Sequence, residues 1–168
     1  SKVKSGQATA EERTAYGIWC GYPGGGAGGE EGGESYDARP KRCFWFDKDG
    51  VIFKKSVTAR GGLITSVSDY SKRELGLNSE VLPKRLMSGA LSVFETIKAS
   101  GLGVREIVLA DLSLEEIEIF THGGPALYFS LRFPAASALP VIKSFAAKPS
   151  FAKLEYLDFR VENRVYYK

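Results

Sequence analysis

The order of hydrophobic patterns along the chain constrains its fold more than any other feature. Short runs of alternating apolar and polar residues, typical of β-strands, occupy much of the sequence. Two longer segments repeat apolar residues at spacings of three and four, as amphipathic helices do. The resulting order is strands, a helix, three strands, a second helix and two closing strands. This order predicts an α+β fold, a largely antiparallel mixed sheet with two helices packed on one face.

The two helices are predicted at residues 82–100 and 137–148. Pro83 suits the first turn of the first helix, and Gly101 suits the left-handed position that ends many helices. The apolar face of the first helix consists of Leu82, Leu86, Ala90, Val93, Phe94 and Ile97. That of the second consists of Leu139, Ile142, Phe145 and Ala146. Both faces are expected to cover the sheet and not to form a ligand groove.

Turn residues divide the strand-like runs. Asp47-Lys48-Asp49-Gly50 separates two apolar runs and predicts a hairpin, because Asp-Gly favours tight turns. The same residues resemble the start of a calcium loop, but apolar residues follow at once, so no metal site is predicted. A meander is expected from the strands at 104–111, 114–121 and 125–133. In the second of these, Leu114 is expected to share the apolar face, and Glu115 and Glu116 to point to opposite faces.

Cys20 and Cys43 are the only cysteines. A closed Cys/His metal site is not predicted, because His122 is the single histidine. The remaining options are a disulfide or two buried thiols. Each cysteine borders a strand-like run, and neighbouring strands would bring the pair within bonding distance. A disulfide closing such a loop contributes roughly 3 kcal/mol and implies an oxidising compartment.

The cysteines enclose a glycine-rich stretch at residues 21–42, which is expected to be a flexible insertion. It contains Gly24-x-Gly26-x-x-Gly29, nominally a dinucleotide-binding motif. No helix pattern follows, and Glu30-Glu31 would repel a pyrophosphate, so no cofactor is predicted. Residues 1–10 are small and polar and are expected to form a frayed end, leaving 11–168 as the folded domain.

Charge and hydropathy exclude several classes of partner. The net charge is +3 and no run of Lys or Arg exceeds two residues, so nucleic-acid binding is not expected. No apolar stretch approaches the ~18 residues of a membrane span. The opening residues also lack the apolar core of a secretion signal. The abrupt start at Ser1 suggests a soluble fragment whose N-terminal membrane anchor, if there is one, is absent.

No set of residues assembles into an active site, and the protein is not expected to be an enzyme or to have a small-molecule substrate. His122 lies in an expected hairpin turn, and the G-x-S-x-G motif that a hydrolase would need is absent. A small extracytoplasmic hydrolase using His122 and an acidic residue is the enzymatic alternative. An unrelated secreted or cell-surface binding module is the other alternative.

The closing segment 154–168 begins with alternating apolar and polar residues, as a β-strand does. It is predicted to turn at Glu162-Asn163 and to resume as a strand. The strand from Arg164 to Lys168 is a candidate sheet edge, which another chain could extend by β-augmentation. Tyr166 and Tyr167 would then hold an incoming strand from both faces. Periodicity leaves open whether this last strand lies at the edge or inside the sheet.

Three stretches, in chain order, resemble the extracytoplasmic β-domain of the FtsQ/DivIB bacterial cell-division family. They are EERTAYGIWC, CFWFDKDGVIF and YLDFRVENRVYYK. The second matches the family's Asp-x-x-Gly-Val-x-Phe pattern at 47–53, and the third matches its closing strand at 157–160 followed by Asn-x-Val. Ala15 replaces the family's proline, the family's glycine after the third meander strand is not evident around Phe133-Pro134, and the cysteine pair and glycine-rich insertion are not general family features. The tail, membrane span and POTRA domain that precede the family's β-domain are also missing.

This resemblance implies a non-enzymatic divisome scaffold on the extracytoplasmic side of the bacterial cytoplasmic membrane, anchored there by an N-terminal span. Such proteins bind small FtsB/FtsL-type partners by strand addition and regulate septal peptidoglycan synthesis. The implied partner-binding residues are Val161, Arg164, Val165, Tyr166, Tyr167 and Lys168. All but Val161 belong to the strand from Arg164 to Lys168, which the alternation of residues also indicates as a candidate edge.

Overall fold

A computed structural model describes residues 12–22, 41–57 and 64–168, which form nine strands and two α-helices. The predicted frayed end and most of the glycine-rich insertion, with its dinucleotide-like motif, lie outside the described residues. The elements are β1 (Gly17–Gly21), β2 (Arg42–Phe46), β3 (Ile52–Ser56), β4 (Thr65–Asp69), α1 (Lys84–Ser100), β5 (Val104–Leu109), β6 (Glu116–Thr121), β7 (Ala126–Ser130), α2 (Ala138–Ala146), β8 (Tyr156–Phe159) and β9 (Tyr166–Tyr167).

All nine strands belong to one sheet, in the order β3-β2-β1-β4-β5-β6-β7-β8-β9. Five neighbouring pairs are antiparallel, and the pairs β1–β4, β4–β5 and β7–β8 are parallel. Parallel neighbours need a crossover connection, and α1 and α2 supply it between β4 and β5 and between β7 and β8. The largely antiparallel mixed sheet of an α+β fold is confirmed.

Both helices pack on the same face of the sheet, as predicted. The inward residues of α1, among them Leu86, Val93 and Ile97, share one core with Ile142 of α2. The sheet supplies alternate residues of its strands to this core, including Ile117, Ile119, Leu127, Phe129, Leu157 and Phe159. We call the opposite side of the sheet the open face. No helix of the described residues is long and apolar enough to cross a membrane.

The disulfide is present between Cys20 and Cys43, with an S–S distance of 2.03 Å. The register of the β1–β2 pair sets the two cysteines directly opposite each other. They form a second, small buried cluster with Ile18, on which Trp45 packs. Gly21 pairs with Arg42 in the same ladder, so the ends of the predicted insertion belong to β1 and β2.

Several element boundaries differ from the prediction. The first helix begins at Lys84 because Pro83, immediately before it, has an extended ψ of 138°, and it ends at Gly101, whose φ is +72°. The predicted strand 114–121 starts only at Glu116, because residues Leu112–Leu114 form a turn of 3₁₀-helix. Leu114 is therefore 53% exposed and does not share the apolar face as predicted. Glu115 adopts a left-handed φ of +55° that joins the two elements.

Candidate partner-binding site at the sheet edge

Strand β9 is the last strand of the sheet, so the closing segment lies at an edge and not inside it. It pairs antiparallel with β8, with Tyr166 opposite Asp158 and Tyr167 opposite Leu157. Among the described residues, no strand lies on its other side. An edge of this kind presents backbone donors and acceptors to an incoming chain.

The hydrogen bonds at the end of β9 show which of its backbone groups face outward. The N–H of Lys168 donates to the carbonyl of Tyr156 at 3.3 Å, and the carbonyl of Lys168 accepts from Glu155 at 2.6 Å. Residues of an antiparallel strand alternate between bonding their neighbour and facing away from it. The backbone groups of Lys168 and Tyr166 face β8. The N–H and C=O groups of Tyr167 and Val165 therefore point away from β8, toward the side of β9 that has no neighbouring strand.

A short turn reverses the chain between β8 and β9. The N–H of Arg164 donates to the carbonyl of Val161 at 3.1 Å, and Asn163 takes a left-handed φ of +59°. Asparagine tolerates this conformation better than most residues because its short polar side chain bonds locally. The predicted turn at Glu162-Asn163 is thus confirmed, and it places Val161 and Arg164 beside the start of β9.

The two tyrosines of β9 lie on opposite faces of the sheet. The ring of Tyr167 contacts Phe145 of α2, with 5.0 Å between ring centroids, and Tyr166 lies on the open face opposite Asp158. Their side chains keep 60% and 47% of their surface exposed. Val165 packs partly against the core on the same face as Tyr167. The strand therefore presents aromatic surface on both sides of a free edge.

A cavity of about 260 Å³ opens between the start of α2 and the β8–β9 turn. It is smaller than the ~300–1,000 Å³ of most small-molecule sites, but it has room for a side chain of a bound polypeptide. Its walls are largely apolar and include Phe133, Pro134, Val141, Val161, Arg164 and Val165. Sequence reasoning missed the first three. Val141 lies beside the predicted apolar face of α2. An apolar residue outside that face is the sequence signal that could have identified Val141 as part of a second contact surface.

On the open face, a fixed ion-pair cluster borders the edge. Arg160 donates to Asp158 at 2.7 Å and to Glu116 at 3.0 Å, and its guanidinium lies 5.2 Å from the Tyr128 ring centroid. Burial raises the pKa of the Asp158 carboxyl, but hydrogen bonds from Arg160 outweigh this, and the pKa lies below its ordinary value. Arg160 is therefore already occupied by partners within the chain.

The residues considered above for catalysis or metal binding do not form a site in the described structure. His122 is exposed in the β6–β7 turn, and its side chain makes no hydrogen bond to a described residue. Within ranges 12–22, 41–57 and 64–168, no group of three or more His, Cys, Asp or Glu residues could hold a metal ion. Glu115 instead binds Arg85 and Arg132 across the surface.

The edge around β9 is thus distinguished by its geometry, which combines outward backbone groups, exposed tyrosines and an adjoining apolar cavity. The sequences and structures compared with this chain add no further indication. No protein-family model, curated protein or solved structure matches it.

Proposed function

We propose that the chain is a non-enzymatic adaptor domain that binds another polypeptide by strand addition at β9. The observation that carries this proposal is the position of β9 at the end of the sheet, with the backbone groups of Val165 and Tyr167 directed outward. An extended segment laid against β9 would satisfy these groups and continue the sheet by one strand. Each backbone hydrogen bond gained contributes about 0.5–1.5 kcal/mol.

The cavity beside the edge would supply specificity. Side chains of an added strand alternate between the two faces of the sheet, so every second one would lie on the helix side. On that side, Val165 and Val141 line the cavity next to the edge. Burying one apolar side chain of the partner there would contribute about 1.5–3 kcal/mol. Backbone pairing would then hold the segment, and the cavity would select its register.

The family resemblance gives this adaptor a cellular role. The closing strand of the FtsQ/DivIB β-domain receives a partner strand, and the corresponding residues here are those at the β9 edge. We therefore propose a divisome scaffold that binds FtsB/FtsL-type proteins and regulates septal peptidoglycan synthesis. The Cys20–Cys43 disulfide supports an extracytoplasmic location, because disulfides persist in oxidising compartments.

A secreted or cell-surface module with another ligand would use the same edge, so the alternatives differ in what precedes the domain. An apolar span of ~20 residues upstream in the gene, followed by a small βααββ pattern, would favour the division protein. The absence of that arrangement from the gene would favour the unrelated module.

The decisive experiment replaces Val165 by proline, which removes one outward donor and leaves the Lys168–Tyr156 pairing in place. The matched control is Val165→Thr, which keeps the N–H and the branched shape. The probe is the FtsB-type protein encoded in the same genome, and affinity is measured by calorimetry. We expect Val165→Pro to weaken binding by up to about 10-fold, the upper end of what one lost hydrogen bond contributes. The control should bind normally.

Circular dichroism and thermal unfolding would establish that both variants stay folded. Unchanged binding by a folded Val165→Pro variant would overturn the strand-addition mechanism. If the wild-type chain fails to bind the FtsB-type probe, the divisome assignment is wrong.

A further inference from the structure

The stretch of the chain that contains α2, on the helix side of the edge, has no acidic residue. From Ile119 to Leu154 there is no Asp or Glu, whereas Arg132, Lys143, Lys148 and Lys153 lie in this range. Helix α2 belongs to it and runs beside β9, with Val141 near the β8–β9 turn and Phe145 against Tyr167. Helix α2 and the segments that flank it therefore carry cations and no carboxylate beside the edge.

Two cations, Lys148 and Arg164, lie beside the free edge. The ammonium of Lys148 lies 4.9 Å from the centroid of the Phe145 ring, and that ring contacts Tyr167. Arg164 precedes β9 and lines the cavity beside Val165, and the nearby Tyr166 hydroxyl raises the pKa of its guanidinium. Both cations therefore lie next to the strand that a partner would pair with.

Neither cation has an acidic partner within the described part of the chain. Lys148 and Arg164 form no ion pair there, whereas the nearby Arg160 is held by Asp158 and Glu116, and Lys168 by Glu155 at 3.0 Å. Positive charge beside an open edge attracts segments of opposite charge and repels those of like charge.

We infer that the polypeptide accepted by β9 is an acidic extended segment whose carboxylates pair with Lys148 and Arg164. This inference rests on the function proposed above and adds the chemical class of the partner. A second copy of the chain fits the edge poorly, because antiparallel pairing of two β9 strands would bring Arg164 and Lys168 of both copies to one seam.

The test uses a phage-displayed library of random dodecapeptides, selected on the wild-type chain and counter-selected on the Val165→Pro variant. Peptides that survive bind through the outward backbone of β9. We expect them to be enriched in Asp and Glu over Lys and Arg. Synthetic copies should bind at least about 10-fold more weakly to Lys148→Glu/Arg164→Glu, and the difference should shrink in about 0.5 M salt.

The matched control is Lys54→Glu/Lys55→Glu, which makes the same charge change on exposed residues of β3 at the other edge. It should leave peptide affinity within about two-fold of wild type, because exposed charges farther apart than a Debye length are largely screened. Circular dichroism and sedimentation would confirm that both double variants are folded monomers.

The outcomes separate this inference from the function on which it rests. Selected peptides that depend on Val165 but carry no acidic bias would overturn the acidic partner and leave strand addition standing. An equal loss of affinity in both double variants would also overturn the acidic partner, because affinity would then depend on net charge and not on the position of Lys148 and Arg164. If no selected peptide depends on Val165, or if the wild-type chain dimerises through β9, strand addition by a foreign segment fails as well.

Discussion

The two edges of the sheet are built differently. At the β3 edge, the segment 78–80 lies alongside the start of the strand and occupies the outward groups there. The N–H of Ile52 donates to Ser79 at 2.9 Å, the carbonyl of Ile52 accepts from Asn78 at 2.8 Å, and Val51 bridges to Glu80. At the β9 edge, none of the described residues occupies the corresponding groups. One edge is partly closed by a described segment of the chain, and the other is not.

Further features protect β3 from unwanted pairing. The ladder between β2 and β3 shifts register near Phe46, and an irregularity of this kind twists an edge away from a flat template. Lys54 and Lys55 project from the remainder of the strand into solvent. Lysines and bulges are common means of preventing edge-to-edge aggregation. Strand β9 instead presents two exposed tyrosines, and its two-residue length limits indiscriminate pairing.

The difference between β3 and β9 indicates that a strand's terminal position in the sheet does not by itself identify a binding site. The β3 end is also the better anchored end, because β1 is buried on both faces and is tied to β2 by the disulfide. The β9 end depends on one hairpin and on the Tyr167–Phe145 contact. A stable scaffold at one end and an accessible strand at the other are what an adaptor requires.

The largest effect should come from removing the disulfide in Cys20→Ala/Cys43→Ala. The loss should lower the free energy of unfolding by roughly 3 kcal/mol, because the unfolded chain is no longer cross-linked. Urea titration measures this change. Binding at β9 should change by less than about two-fold at a temperature where the variant is folded, since sites without shared contacts behave independently. A marked loss of binding would show that the two ends are coupled.

The next effect should come from filling the cavity with Val141→Phe. The cavity of about 260 Å³ gives the larger ring room, so the stability change should stay within about 1–3 kcal/mol, the usual range for overpacking. Affinity for the partner should fall about 10-fold, because the anchoring side chain loses its place. Val141→Ala, which enlarges the cavity, is the control. Normal binding by Val141→Phe would mean that the cavity is not used.

A smaller effect is expected from converting the β3 edge into an open apolar edge with Lys54→Val/Lys55→Val. Removing both charges should allow weak self-association through β3, because the charged side chains no longer oppose pairing. Sedimentation velocity over a range of concentrations would detect it. The control is Lys84→Val/Lys98→Val on α1, where no strand edge is available. A strictly monomeric β3 variant would show that the register shift and the segment 78–80 suffice to close this edge.

The smallest effect concerns Glu115, which lies away from both edges. Hydrogen bonds from Arg85 and then Arg132 lower the pKa of its carboxyl from 4.5 to about 2. A pKa lowered on folding means that Glu115 stabilises the fold above its unfolded pKa and loses this contribution as pH falls toward 2. Glu115→Gln should therefore flatten the pH dependence of the unfolding temperature between those values. An unaltered acid profile would contradict this assignment.

Much of the fold could be predicted from the sequence because its patterns are local. The alternation of Ile117 and Ile119 with glutamates assigns β6 a buried face, the spacing of apolar residues assigns α1, and Asp-Gly and Asn163 mark two hairpins. The prediction was wrong at Leu114 and Glu115, where Asp111 caps a turn of 3₁₀-helix by accepting from the N–H of Ser113 and Glu115 leaves that turn with a left-handed φ. The apolar alternation of the following strand hides so short a turn, and the partners of Glu115, Arg85 and Arg132, lie outside the segment.

The sequence by itself therefore determined the elements, their order and the face that each one buries, since these depend on neighbours within a few residues. Only the tertiary structure decided which strands became edges, that Cys20 meets Cys43 in one ladder, and that Phe133, Val141 and Val161 enclose a cavity. The physical reason is that strand neighbours are chosen by packing across the whole sheet. No local pattern encodes which side of a strand remains without a partner.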